Sequence, residues 1–230
     1  VDMRMDYLEK NNYLNSIWRL KEKYRKLIEI ESGFEIEYLP DQEENILELK
    51  NEVDKLILGQ HFVYGADKTL KIFGDNEMTD EDIRNYAFYI MSAISKGIPD
   101  IIAHPDIYIK DSENLTDLEV VAAHEICAVA EKYGVPLEIN LKPLYEFFWG
   151  KRECVSYPSK RFWQIATQYP NLKVLFGIDV HSVEQIELYE QILELAEHHL
   201  GTEVLGKLNF CNELLKSEQV NRRRNNNTNK

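Results

Sequence analysis

The chain has 230 residues, 44% of them hydrophobic, and a formal net charge of −13. That is enough apolar material for a real core in one large domain or two small ones, and there is no run of about 18 apolar residues to span a membrane. The acidic balance disfavours a nucleic-acid partner, because it repels phosphate backbones, and an anionic substrate would need cations within its site to attract it.

Two patterns alternate along the chain. Residues 1–5 lack the apolar segment of a signal peptide. Apolar spacing then predicts a helix over 7–27, a strand over 28–37, a helix over 43–53, a strand over 55–63 and a helix over 80–96. Strands over 100–103, 135–139 and 173–178 are separated by helices over 117–133 and 159–169, and helices over 183–200 and 204–217 follow. Thr79 or Asp80 can cap the 80–96 helix, which Gly97 and Pro99 end; Gly134 and Pro136 close the next. The core stripe of that next helix reads Leu118, Val121, Ala122, Ile126, Val129 and Tyr133. Strands alternating with helices predict βα units around a parallel sheet or barrel. Residues 220–230 are rich in Asn, carry Arg222, Arg223 and Arg224, and have no apolar face; they are expected to be disordered. Cys127 falls in a helical pattern, Cys154 in a loop and Cys211 in another helix. An odd count without C-x-x-C spacing or a signal predicts a reduced, cytoplasmic protein.

Every predicted strand delivers a polar or metal-capable side chain at or near its C-terminal end. The first reaches Gly33-Phe34-Glu35, the second Gly59-Gln60-His61 and the third Ala103-His104-Pro105-Asp106. The fourth ends in Glu138-Ile139-Asn140, and the fifth in Ile178-Asp179-Val180-His181. In α/β barrels that end of the strands is where sites form. A His, Glu and Asp set without cysteine suits Zn, Mn or Fe rather than a thiolate structural zinc. Each residue has a plainer reading. Glu35 could be a solvated carboxylate, His61 and His104 satisfied core histidines, and His104-Pro105-Asp106 a turn. Asp179 and His181 could be a cap region and Asn140 a backbone partner. Their joint placement favours a site. His124, His198 and His199 lie in helices and read as structural. Lys151 and Arg152 fall in a loop on the same face, where a basic residue could clamp phosphate or simply be an exposed charge.

These strand ends, in this order, resemble the polymerase-and-histidinol-phosphatase (PHP) domain. Tyr157-Pro158-Ser159 with Phe162-Trp163, and Met3-Arg4-Met5-Asp6 before a charged helix, resemble its histidinol-phosphatase branch. The resemblance implies an α/β fold, an incomplete distorted (β/α)7 TIM-like barrel with about five of seven βα units present. It also implies one metallophosphoesterase domain over 1–219, lacking an N-terminal segment with a His-x-His motif, and a tail over 220–230. By the same resemblance, up to three divalent ions (Zn, Mn or Fe) would be bound. Glu35 would bridge two of them, His61 and His104 would complete the second ion's shell, Asp179 would hold the first ion and His181 the third. Arg152 and Asn140 would contact a small phosphorylated substrate, and a metal-activated water would be the nucleophile. The implied reaction is hydrolysis of L-histidinol phosphate in histidine biosynthesis. Two alternatives stay open: a truncated homologue that is inactive or needs a partner, and a PHP phosphatase acting on another phosphoester such as phosphotyrosine.

Overall fold

The computed structural model describes residues 5–73, 78–111 and 114–211. Six parallel strands form its main sheet in the order β1 (Gly33–Ile36), β2 (Lys55–Leu58), β5 (Ile101–Ile102), β6 (Leu137–Asn140), β7 (Lys173–Gly177) and β8 (Asn209–Phe210). Between β2 and β5, strands β3 (Phe62–Tyr64) and β4 (Leu70–Ile72) form a separate antiparallel hairpin. The helices are α1 (Lys10–Tyr24), α2 (Glu43–Lys50), α3 (Asp80–Ser95), α4 (Asp117–Tyr133), α5 (Lys142–Phe148), α6 (Lys160–Ala166), α7 (Val183–Glu187), α8 (Tyr189–Leu200) and α9 (Thr202–Lys207). The fold is α/β, with helices alternating with parallel strands as the sequence pattern predicts, and β1 and β8 are the two edges of the sheet.

Register brings the strand ends level. Glu35 pairs with Ile57, Ile57 with Ile101, Ile102 with Leu137, and Asn140 with Gly177. One contiguous core lies beneath them. Leu58, Ile102, Leu137, Ile139 and Val174 are fully buried, and α3 and α4 pack on the sheet through Ile90, Ile94, Ala123 and Ile126. Both helices begin in capping boxes. Thr79 with Asp82, and Thr116 with Glu119, satisfy first-turn N–H groups that would otherwise lack partners. Gly134 ends α4 in the left-handed conformation at φ 71°, as its position predicts. Helix α1 buries none of its residues. It is held to β1 and to the loop before β2 mainly by polar contacts: Tyr13 Oη donates to the Gly33 carbonyl at 2.8 Å while its ring lies 5.3 Å from Phe34, Lys10 pairs with Glu52 at 2.7 Å, and Lys21 pairs with Asp54.

Several predicted elements differ from the fold. The helix predicted over 204–217 is instead α9 followed by β8. Phe210 stacks on Phe176 with centroids 4.8 Å apart, and pairing with β7 overrides the local apolar spacing. Cys211 therefore follows a strand rather than lying in a helix, its thiol 3.4 Å from the Val174 carbonyl. Residues 212–217, and the tail over 220–230, lie outside the described residues. The strand predicted over 28–37 shortens to β1, and the one over 55–63 splits into β2 and β3, because the chain turns at Gly59–His61 to start the hairpin. The 183–200 helix breaks at Leu188 into α7 and α8. The stripe on α4 is Ala122, Ala123, Ile126, Cys127 and Ala130, while Val121 and Tyr133 are about half exposed. Helix α5 was absent from the pattern, being seven residues long and rich in aromatics.

Candidate metal centre

Glu35, on β1, His61, just past β2, and His104, just past β5, come together at the C-terminal ends of three neighbouring strands. One ligand-capable atom from each lies within 4.8 Å of the other two. His104 Nε2 is 3.3 Å from Glu35 Oε1, His61 Nε2 is 4.0 Å from the same oxygen, and the two imidazole rings are 4.5 Å apart. Two nitrogens and a carboxylate at this spacing fit a divalent ion of the Zn, Mn or Fe kind. The surroundings favour a cation as well. Burial opposes a charge on His104, but its bond to Glu35 and the nearby carboxylates of Glu138 and Asp179 outweigh that and raise its pKa.

The backbone is shaped around these groups. His104 has φ 33° and Asp179 φ 44°, a left-handed region that a non-glycine residue enters at a cost of about 1–3 kcal/mol and that is concentrated at functional sites. Two glycines make room for carboxylates. A Cβ on Gly59 would lie 1.9 Å from Glu35 Oε1, and one on Gly177 would lie 1.6 Å from Glu138 Oε1. Gly59→Ala should therefore turn Glu35 out of the cluster. The expected result is metal affinity lowered by about 10–100-fold, the size of effect seen when a ligand loses its orientation. Isothermal titration with Mn²⁺ checks it, and wild-type affinity in the variant would show that Glu35 does not need that position.

Glu37 is not one of the strand-end residues that the sequence pattern singles out. It follows Glu35 by two residues, so both side chains leave the same face of the strand end, and that spacing was the available signal. Its Oε1 is 2.9 Å from His61 Nδ1, and its Oε2 accepts from the backbone N–H of His61 at 2.7 Å and of Phe62 at 3.2 Å. An ionised carboxylate only accepts, so Nδ1 carries the proton and Nε2 is left to face the cluster. Glu37→Gln should loosen this arrangement and weaken metal binding by about 10–100-fold. In a His61→Ala background it should add nothing further, which a double-mutant cycle of metal affinities tests.

The other predicted residues are placed as follows. Asp179 and His181 lie past β7, on the same end of the sheet, but outside the three-residue cluster. Lys142, the first residue of α5, lies against both, its Nζ 3.3 Å from Asp179 Oδ2 and 3.2 Å from His181 Nε2, while His181 Nδ1 is itself 3.5 Å from Asp179 Oδ1. Asn140 is buried with both polar ends engaged locally: its Nδ2 donates to Glu138 Oε2 at 3.2 Å and its Oδ1 accepts from Lys142 N at 3.0 Å. Arg152 pairs with Glu146 at 3.2 Å and its guanidinium carbon is 6.0 Å from the Tyr157 ring centre. Tyr157 in turn lies 6.0 Å from the His104 ring, so Arg152 is one aromatic side chain away from the cluster. Asp106, which reads as part of a turn, is a buried pin. Its Oδ2 accepts from Ser159 N at 2.6 Å and from Trp163 Nε1 at 3.1 Å, fastening the His104 loop to the start of α6. His124 and His199 bond within the fold, to the Tyr169 hydroxyl and the Pro158 carbonyl.

Among solved structures, the chain is similar to a Listeria monocytogenes protein assigned as the histidinol phosphatase hisK. The TM-score is 0.64 at 19% identity, over 79% of this chain and 75% of that one. It is also similar to the histidinol phosphate phosphatase HISK of Lactococcus lactis, solved with zinc, L-histidinol and phosphate. There the TM-score is 0.54 at 15% identity, over 81% of this chain and 74% of that one. The chain shares their fold. No protein-family profile matches it, and neither does any curated protein. Among the described residues no helix is long and apolar enough to cross a membrane.

Proposed function

We propose that this chain is a metal-dependent phosphomonoester hydrolase of the histidinol-phosphatase type. The observation that carries the reading is the convergence of Glu35, His61 and His104 on one point at the strand ends. It is supported by the shared fold with proteins described as histidinol phosphatases, one of them solved with zinc and phosphate. Glu35, His61 and His104 would hold the ion, which when bound supplies Lewis-acid polarisation of a phosphoryl oxygen and an activated water. Glu37 keeps His61 in the tautomer whose Nε2 faces Glu35 and the cluster. Arg152 would offer a guanidinium to the phosphate, its planar fork matching two oxygens at once. Asn140 holds Glu138 and the first turn of α5 rather than reaching outward. Asp179 and His181 belong to the proposed site as its second wall. No His-x-His pair occurs in residues 1–230, and the centre would gain ligands from a segment bearing one, supplied in cis or in trans.

Phosphate release from L-histidinol phosphate and from phosphotyrosine, with and without added Mn²⁺ or Zn²⁺, tests the reading. Metal-dependent release that favours histidinol phosphate, and is raised by a His-x-His segment, is expected. In that assay Arg152→Ala should raise KM by about 10-fold or more while changing kcat little, since a charge-assisted contact to phosphate contributes about 1.5–3 kcal/mol. Release that chelators leave untouched would overturn the metal-dependent reading.

A further inference from the structure

The side chain that meets both Asp179 and His181, which are themselves 3.5 Å apart, is not what a metal centre would place there. Two donors that could each hold a metal ion face a single lysine ammonium. Lys142 Nζ is 3.3 Å from Asp179 Oδ2, and 3.2 Å and 3.3 Å from the two ring nitrogens of His181. His181 Nδ1 is also 2.8 Å from the carbonyl of Asp179, which folds the imidazole back over the same spot.

This lysine is fixed rather than drifting over a surface. Its side chain is 23% exposed. Its backbone N–H is held by Asn140 Oδ1 at 3.0 Å, and Pro143 sets the first turn of α5 immediately after it. The buried Tyr145 on the same helix donates from its hydroxyl to the Asp179 carbonyl at 3.4 Å, tying down the other partner. Asp179 itself adopts φ 44°. An ordinary exposed lysine–carboxylate pair has no such frame and contributes little.

We propose that Lys142 is a built-in cation of this site: its ammonium lies against both Asp179 and His181 and excludes a metal ion from that pair. Residues 1–230 would then take a divalent ion at Glu35, His61 and His104, with Lys142 supplying a second, permanent positive charge beside it. The physical reason is direct. An ammonium within contact distance of both donors neutralises the carboxylate that would attract an ion, repels an incoming dication, and occupies its volume. Such a fixed charge needs no metal supply, and with Arg152 it gives a phosphoryl group two cationic side chains beside the ion. The proposal rests on the phosphatase reading for that last consequence only; the exclusion of metal stands on geometry.

Metal counting tests it. Bound Mn²⁺ is measured by equilibrium dialysis with electron paramagnetic resonance on the 230-residue chain; Mn²⁺ is chosen because it prefers oxygen donors over the exposed thiols of Cys154 and Cys211. Lys142→Met should bind one equivalent more than wild type, Lys142→Arg should keep the wild-type count, and Lys142→Met with Asp179→Asn should lose the added equivalent. Lys142→Gln, which keeps a polar side chain, should repeat the Lys142→Met result if that variant folds poorly. An unchanged count in both neutral variants, or an added ion that survives Asp179→Asn, overturns the proposal. Because variants are compared with wild type, a wild-type count of zero would sink the Glu35, His61 and His104 reading and leave this comparison intact.

Discussion

His104→Ala is expected to weaken divalent-metal binding by on the order of 100-fold or more, the largest functional effect in the chain. Loss of the groups that merely orient a metal ligand already costs about 10–100-fold, and His104 is itself one of the three side chains that would touch the ion. It is 3% exposed, so neither solvent nor a neighbouring side chain readily takes its place. Its geometry is over-determined. The backbone N–H donates to Glu138 Oε2 at 3.1 Å, the carbonyl accepts from the buried Tyr86 hydroxyl at 3.3 Å, and φ is held at 33°. His124→Ala, a histidine bonded to Tyr169 and remote from the cluster, is the matched control and should leave affinity unchanged. Isothermal titration of Mn²⁺ or Zn²⁺ into both variants decides. Equal affinities would mean that the three-residue cluster is not where metal binds.

Trp163→Ala should be the most damaging single change to stability, by about 3–5 kcal/mol. Trp163 is fully buried, packs edge-to-face on Phe162 at 5.2 Å and donates its indole N–H to Asp106. Asp106 is already uncomfortable. Its other oxygen is buried without a hydrogen-bond partner among the described residues, and burial pushes its carboxyl up to about 7 despite the bonds from Ser159 and Trp163. Removing the indole opens a large cavity and takes away one of the donors that make this buried carboxylate tolerable. Trp163→Phe separates the two effects: it keeps most of the volume and loses the hydrogen bond, and should cost about 1–3 kcal/mol. Urea unfolding followed by circular dichroism measures both. Since Asp106 anchors the loop that carries His104, metal affinity should fall in Trp163→Phe as well, but by less than in His104→Ala. A Trp163→Ala protein within 1 kcal/mol of wild type, on the scale of a typical surface change, would refute this account of the pin.

What the sequence determined by itself was the alternation of helix and strand, and the fact that chemistry gathers where strands end. Those signals are local. A 3.6-residue stripe, a Thr-x-x-Asp cap before α3 and a glycine after α4 act through neighbours in the chain, so they can be read without knowing what lies across the sheet. Glu35, His61 and His104 could be nominated for the same reason, each sitting just where an apolar run stops. Only the tertiary structure decided which of the nominated residues meet. It brought those three together and gave Asp179 and His181 to Lys142, because the path between strand ends depends on turns such as Gly59–His61 and on the short helix α5. Contacts across the fold also decided the fate of weak local preferences: Phe210 became a strand residue by stacking on Phe176. The carboxylate of Glu37 became a partner of His61 only once β1 and β2 lay side by side, and the ammonium of Lys142 reached its two partners only when α5 turned back over the end of β7. Such roles come from packing between segments distant in sequence: the two-residue step from Glu35 puts Glu37 on the same face, but no local pattern names its partner.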